Sequence, residues 1–457
     1  MNNEQLVADV PQDSLLQENV SIDGRESTRW MRLSALVTRF SRGRGAMALA
    51  DQMMVSASNF ATGIVLVRGL GLSEFGKFSI AYALLLYGNS LQMSFIASPM
   101  LSIAPLLPEK EKYRFVNGML AIQIMASVLL CVVFALVGAA SHLFTTFYSF
   151  PCIFVFACCV GTFQLQDWLR RYYFLYNKGK LAFLCDMISY LGQFVLLLAL
   201  WRFGRLTLTL TFTVMCITSV AALSIGPFTD RLWPAMDALK ETWTRCKSLS
   251  SSLLISNQIR WFGTQGVLLI GAGIVGSVGI GGLRATSNLS GPVYLMLFSL
   301  ENYVPMRLAE ELKRKGASGA QEFIRRAILG GTVCFALLIV PVGIFGQPIL
   351  RLVYGPALVA FYLPMLLQLA FIVVAAGTTM WYFLYRSLQD TRAIFRANAL
   401  SSIVNIGTVY SFGHYWGVSG IVLSSLLSQV ALMAYCIFHW TRYREELLHL
   451  SSVDGVL

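Results

Sequence analysis

The stretch YFLYNKGKLAF, Tyr173 to Phe183, has a near copy about two hundred residues later in YFLYRSLQDTRAIF, Tyr382 to Phe395. Each runs from an apolar segment through Tyr-Phe-Leu-Tyr into a basic turn, so the same junction is written twice. Other matches keep nearly the same spacing. Shifted by 206 residues, Asp51-Gln52 falls on Asn257-Gln258, Gly76 on Gly282 and Pro99 on Pro305; shifted by 209, the two YFLY runs coincide. After a three-residue insertion Lys180, Phe183, Asp186 and Ser189 meet Arg392, Phe395, Asn398 and Ser401. Ordered matches at an almost constant offset predict an internal duplication.

The repeated units are built from membrane spans. Of 457 residues 56% are hydrophobic and 13% charged, with a mean hydropathy of +0.64, whereas a soluble domain carries roughly 25% charged residues. Apolar runs of about 20 residues, long enough for a helix to cross the hydrocarbon layer, fall near 47–67, 78–104, 117–140, 150–176, 181–201, 206–226, 250–275, 283–305, 327–346, 360–385, 393–412 and 418–440. The expectation is an all-α integral membrane protein of about 12 transmembrane helices in two six-helix lobes. An even number of spans per lobe makes the repeats parallel, related by an axis along the membrane normal, with a substrate site between lobes near the midplane. Residues 1–46 read as a disordered basic tail, 47–226 as the N-lobe, 227–249 as a linker, 250–440 as the C-lobe and 441–457 as a C-terminal tail.

Charge sets the orientation. Of the 35 Lys and Arg, 28 lie on the side of the N-terminus in this twelve-span arrangement and five opposite, with Arg260 and Arg284 inside spans. That bias puts both termini in the cytoplasm. It also accounts for most of the +12 net charge, so the basic balance is no argument for nucleic acid as a partner. The YFLY tyrosines, at the cytoplasmic ends of spans four and ten, read as interface anchors.

Four segments resemble a known family: DQMMVSASNFATGIVLVRGLGLSEFGKFSIAYAL (Asp51 to Leu84), VGIGGLRATSNLSGP (Val278 to Pro292), ILRLVYGP (Ile349 to Pro356) and GVSGIVLSSLLSQ (Gly417 to Gln429). Over roughly 46–440 the chain resembles the bacterial polysaccharide flippases of the Wzx type, within the multidrug/oligosaccharidyl-lipid/polysaccharide exporter superfamily. The resemblance implies a MATE-like pair of lobes in the inner membrane. They would rock to pass an undecaprenyl-diphosphate-linked oligosaccharide from the cytoplasmic to the periplasmic leaflet. It also implies membrane lipids as surroundings, and polymerase and export proteins of a polysaccharide pathway as partners. No cofactor is implied beyond a coupling ion, H+ or Na+.

Such a cargo needs a hydrated cationic cavity. Arg260, about ten residues into the seventh span, is the first candidate for the diphosphate, because a guanidinium presents a planar fork to phosphate oxygens. A structural ion pair with Asp51 or Glu301 is the plainer alternative. Arg68 and Arg284, at span ends, are expected at the periplasmic mouth, to meet the head group or to snorkel. Gln52, Asn59 and Gln258, with Gln92, Gln166 and Gln265, are expected to line a sugar-binding cavity or to bond between helices. Asp51, Asp167, Asp186 and Glu301 are candidates for gate pairing, with Arg170, Arg171 or Arg307, or for ion coupling.

Chemistry of other kinds finds no pattern. Four histidines form no HExxH, no GxxxxGK[ST] is present, and nine cysteines lie mostly in apolar runs, which argues against an enzyme or a metal site. GAGIVGSVGIGG follows a span and opens no βαβ unit, so its glycines read as helix packing and a turn. A MATE-like or major-facilitator-like ion-coupled exporter of small molecules stays as the alternative. Against the latter, the loop after span two reads PLLPEKEKYRF and lacks that family's GxxxDRxGRR-like signature.

Overall fold

A computed structural model describes residues 44–230, 232–289, 304–388 and 390–453. The reading of 1–46 as a tail falls almost wholly outside the described residues, and Glu301 lies outside them as well. All regular structure among the described residues is helical. We number the principal helices α1 (Arg44–Gln92), α2 (Ser98–Ile103), α3 (Glu109–His142), α4 (Phe150–Leu175), α5 (Gly179–Asp186), α6 (Gly192–Arg202) and α7 (Leu208–Leu223). The second half comprises α8 (Leu239–Trp261), α9 (Val267–Asn288), α10 (Val304–Ile344), α11 (Gly346–Tyr354), α12 (Tyr362–Ser387) and α13 (Thr391–Val453).

Seven stretches are long and apolar enough to cross a membrane, and α7 is a shorter apolar helix. Four long helices turn sharply inside, at Gly71, Gly276, Gly316 and Gly417. Divided there, the chain gives arms at 44–70, 72–106, 109–142, 150–175, 179–202, 208–223, 239–275, 277–288, 304–315, 317–344, 356–387, 391–416 and 418–453, the eighth expected span lying partly outside the described residues. That is the expected order of crossings, and the chain is a multi-pass membrane protein. Gly71 and Gly276 have φ of 78° and 67°, a left-handed conformation that strains residues with a Cβ. They turn the first and seventh crossings back into the second and eighth.

The linker is more ordered than a loop. Helix α8 starts at Leu239 and passes through a π turn, Phe262–Gly266, into α9, so the seventh crossing projects well beyond the span. Its projecting part is pinned to the N-lobe by Arg245, 3.1 Å from Glu111 of α3, and the same guanidinium lies 3.0 Å from Glu241 one turn back on α8. Residues 441–453 continue α13. Two of the four YFLY tyrosines are not interface anchors: Tyr173 and Tyr385 are among the most buried side chains of the molecule, whereas Tyr176 and Tyr382 are partly buried. Tyr173 shares a 2.8 Å hydrogen bond with Thr229, and Tyr385 donates to the Cys436 carbonyl at 2.6 Å. Burial inside a lobe leaves their hydroxyls only internal partners, and they have them.

Candidate functional site

The lobes meet where the second and eighth crossings leave their turns. A Cβ on Gly76 would lie 1.7 Å from the Ser277 carbonyl oxygen, and one on Gly281 would lie 2.3 Å from the Leu72 carbonyl oxygen. The contact is reciprocal: residue 72 corresponds to 277 and residue 76 to 281, a constant shift of 205. Reciprocity of this kind is the mark of a two-fold axis. Ser73 and Ser277 hydroxyls add a 3.1 Å hydrogen bond beside it. Small residues at the crossing allow the backbones to approach this closely. Arg68, expected at this end, is exposed and donates to the carbonyls of Val353, at 2.8 Å, and Leu352, tying α1 to α11.

Deeper in, two cavities open between the lobes. The larger, about 590 Å3, is lined by Asn59 of α1, Gln265, Arg284 and Asn288 near and on α9, Gln368 of α12 and Ser425 of α13. The smaller, about 130 Å3, lies toward the N-lobe between α1, α4 and the α5–α7 segment. Arg284, Asn59 and Asn288 belong to both. Arg284 lies eight residues past the Gly276 turn, about 12 Å along the helix at 1.5 Å per residue. Its guanidinium sits 5.8 Å from the centre of the Tyr82 ring. Among the described residues it is the charged side chain lining these cavities, and no carboxylate is paired with it. An Arg at such depth is costly unless it faces water or an anion, by about 2.5–3.5 kcal/mol on insertion scales.

The other expected polar residues are spread along the molecule. Gln52 is exposed and lines neither cavity. Gln258 donates to Ser90 at 3.4 Å and Asn257 to Ser94 at 2.9 Å, joining α8 to the N-lobe at the linker end. Arg260 stands on α8 beside them, with its side chain outside the described residues. Gln265 lines the larger cavity, Gln166 bonds to Asp186, and Gln92 donates to the Gln164 carbonyl. Asn288, Ser287 and Gln368 were not anticipated. Gln368 donates to Ser287 Oγ at 2.9 Å and to the Leu283 carbonyl at 3.1 Å, and its buried Oε1 has no hydrogen-bond partner. A glutamine in the apolar run YLPMLLQLAF is the signal that could have found it.

Three of the acidic candidates, Asp51, Asp167 and Asp186, gather within the N-lobe. Asp51 is 1% and Asp186 0% exposed. Arg170 lies between them, its Nη2 2.8 Å from Asp51 Oδ2 and its Nε 2.6 Å from Asp186 Oδ2. The first contact is an aligned hydrogen bond; in the second the N–H is not aimed at the oxygen, so it is an ion pair by proximity alone. Gln166 donates to the other Asp186 oxygen at 3.1 Å, and Arg171 pairs with Asp167 at 2.7 Å. Three carboxylates therefore face two guanidiniums, an excess of one negative charge when all are ionised. A buried excess charge calls for a proton or a cation.

No protein-family profile matches the sequence, and no curated protein sequence matches it. Solved structures do. An inward closed conformation of the lipid II flippase MurJ superposes with a TM-score of 0.69 at 14% identity, over 85% of this chain and 86% of that one. An inward-facing multidrug resistance MATE family transporter of the MOP superfamily gives 0.70 at 12% identity, over 88% and 96%. An outward-facing MATE family transporter gives 0.51 at 11% identity, over 91% and 98%. The likeness is one of fold: this chain has the two-lobed, MATE-like helical architecture.

Proposed function

We propose that the protein is a flippase for an undecaprenyl-diphosphate-linked oligosaccharide, moving it from the cytoplasmic to the periplasmic leaflet of a bacterial inner membrane. In this reading the linker end and both termini are cytoplasmic, as the distribution of Lys and Arg favours. The observation that carries it is Arg284, a guanidinium with no carboxylate beside it among the described residues, between two cavities that together span both lobes. Its fork suits two parallel bonds to diphosphate oxygens. Asn59, Asn288 and Gln368 supply neutral donors and acceptors around it, and Arg260 of α8 stays a second candidate for the diphosphate. The fold is that of proteins which include a lipid II flippase.

Alternating access then uses two closures. At the turn end, the Gly76–Gly281 crossing, the serine pair and the Arg68 tie hold the lobes together. At the linker end, the contacts of Asn257 and Gln258 with Ser94 and Ser90 are the ones to break and remake. The Asp51–Arg170–Asp186 cluster would take up the coupling ion, H+ or Na+, because its excess negative charge is relieved by either.

The test is translocation of a polyprenyl-diphosphate-linked glycan in proteoliposomes. Loss of a charge-assisted contact worth about 1.5–3 kcal/mol makes Arg284→Ala slower by roughly 10- to 100-fold, with Arg284→Lys intermediate. Transport by the Ala variant at the wild-type rate rejects the assignment. An ion-coupled exporter of small molecules shares the fold and would use the same acidic cluster. It predicts instead uptake of a lipophilic cation, which a cationic cavity repels.

A further inference from the structure

A third cavity, about 190 Å3, lies within the C-lobe, among the π turn, α12 and α13, and meets the larger cavity at Phe371 and Ser425. Ten of its fourteen described lining residues carry a hydroxyl or a side-chain amide, and none of these fourteen is charged. The pseudo-symmetry accounts for the space. Shifts of 209 and 212 place Thr379 where the N-lobe has Arg170, Asn398 where it has Asp186, and Ser402 where it has Tyr190. A guanidinium, a carboxylate and a phenol fill the first lobe at this point. In the second, short neutral side chains line an open chamber, and Gly263 withholds a Cβ that would sit 2.0 Å from Ser402 Oγ.

The polarity of the wall is mixed in a definite way. Thr378 and Thr379 spend their hydroxyl hydrogens on the carbonyls of Val374 and Ala375, at 2.7 and 2.8 Å, and so offer lone pairs to the chamber. Tyr382 donates to Asn398 Oδ1, which leaves the Asn398 amide hydrogens as donors. Acceptors and donors side by side match a ligand whose own groups are hydroxyls, each able to give and to take. The neutral wall selects neither a phosphate nor a cation, and an apolar ligand would give the Asn398 amide hydrogens no acceptor.

We propose that this chamber holds one sugar ring of the cargo head group while the diphosphate lies at Arg284. The proposal rests on the lipid-linked glycan reading above. It makes the C-lobe the reader of the sugar, and Tyr382 and Phe371 the rings against which its C–H face packs.

Binding to the full-length protein in nanodiscs tests it, with four probes: bare undecaprenyl diphosphate and the same carrier bearing one glucose, galactose or N-acetylglucosamine. The expected result is that at least one glycosylated carrier binds about tenfold more tightly than the bare one, the worth of two or so hydrogen bonds. Thr379→Leu, which fills the chamber, removes that preference and leaves the Kd of the bare carrier unchanged. Asn398→Ala, which removes donors without adding bulk, cuts the preference severalfold and decides the matter if the Leu variant does not fold. Equal binding of all four probes by the wild-type protein overturns the sugar site and leaves the flippase reading standing. A preference that survives both variants also overturns it, placing the sugar elsewhere. If the wild-type protein binds none of the probes, the flippase reading fails and the sugar site fails with it.

Discussion

In the N-lobe, Arg170 is held between Asp51 and Asp186 at 2.8 and 2.6 Å. At the matching place in the C-lobe stand Asn257, Thr379 and Asn398, the last two bordering the 190 Å3 chamber. Yet at the axis, where the lobes touch, Gly76 and Gly281 make reciprocal contacts. Duplication has thus been kept where the two copies must fit each other and abandoned where each faces its own interior. A contact across a two-fold axis constrains both copies together, since a change in either disturbs the same crossing. A buried cluster constrains one copy only, which frees one lobe for charge and the other for neutral binding.

The largest expected effect attacks the charged half of that contrast. Arg170→Ala leaves Asp51 and Asp186 buried without a cation, and breaking a buried pair by removing one partner costs about 3–5 kcal/mol. A fall in thermal stability of the detergent-solubilised protein measures it. The triple variant Asp51→Asn, Arg170→Thr, Asp186→Asn gives the N-lobe the residue types of the C-lobe, and it is expected to recover most of the lost stability while abolishing ion dependence of transport. Stability of the triple variant no better than that of Arg170→Ala would mean that the charges hold the fold in some way beyond compensating one another.

The symmetric half of the contrast is probed at the axis. Gly76→Val places side-chain atoms where the Ser277 carbonyl lies, and such overpacking costs about 1–3 kcal/mol, spent here on separating the turn ends. Gly281→Val, against Leu72, should do the same to within a factor of two or so in population. The readout is oxidative crosslinking of Ser73→Cys with Ser277→Cys, whose parent hydroxyls are 3.1 Å apart. Both valine variants should suppress the crosslink. Suppression by one alone would show that the two-fold relation at the crossing is geometric and not energetic.

Span number, lobe count and the repeat were legible because they rest on length, hydropathy and offset, quantities that survive divergence in a membrane. The depth of Arg284 was not. The glycine-rich 276–282 stretch reads as a turn, so the eighth span was expected to begin at 283 and Arg284 to lie at the mouth. In the structure Gly276 alone makes the turn, and Gly279, Gly281 and Gly282 sit inside the following helix for packing. Composition does not separate a glycine that bends a chain from one that lets another helix approach. The axis contact runs at 205, so Gly76 matches Gly281 and not the Gly282 that the shift of 206 gives. Asp51, Asp167 and Asp186 were legible as buried charges near span ends, but Arg170, the common partner of Asp51 and Asp186, was one of three considered. The neutral chamber was invisible, because serine, threonine and asparagine in apolar helices look alike whether they bond to their own backbone or to a ligand.

The smallest expected effect concerns a contact with no counterpart across the axis. Arg68 donates to the carbonyls of Leu352 and Val353, which close the C-terminal turn of α11; the 205-residue shift puts Gly273 in its place in the C-lobe. A cation at the last carbonyls of a helix is stabilising by about 0.3–1 kcal/mol when exposed. Arg68 is exposed, so the tie can bias the turn end toward closure without locking it. Arg68→Gln is expected to slow the Ser73–Ser277 cysteine crosslink by about two- to fivefold, to leave thermal stability almost unchanged, and to lose its effect at high salt, where exposed charges are screened. A decrease as large as that of Gly76→Val would move the main energy of closure from the symmetric crossing to the unsymmetric tie, and the two lobes would then part company at their surface as well as in their interiors.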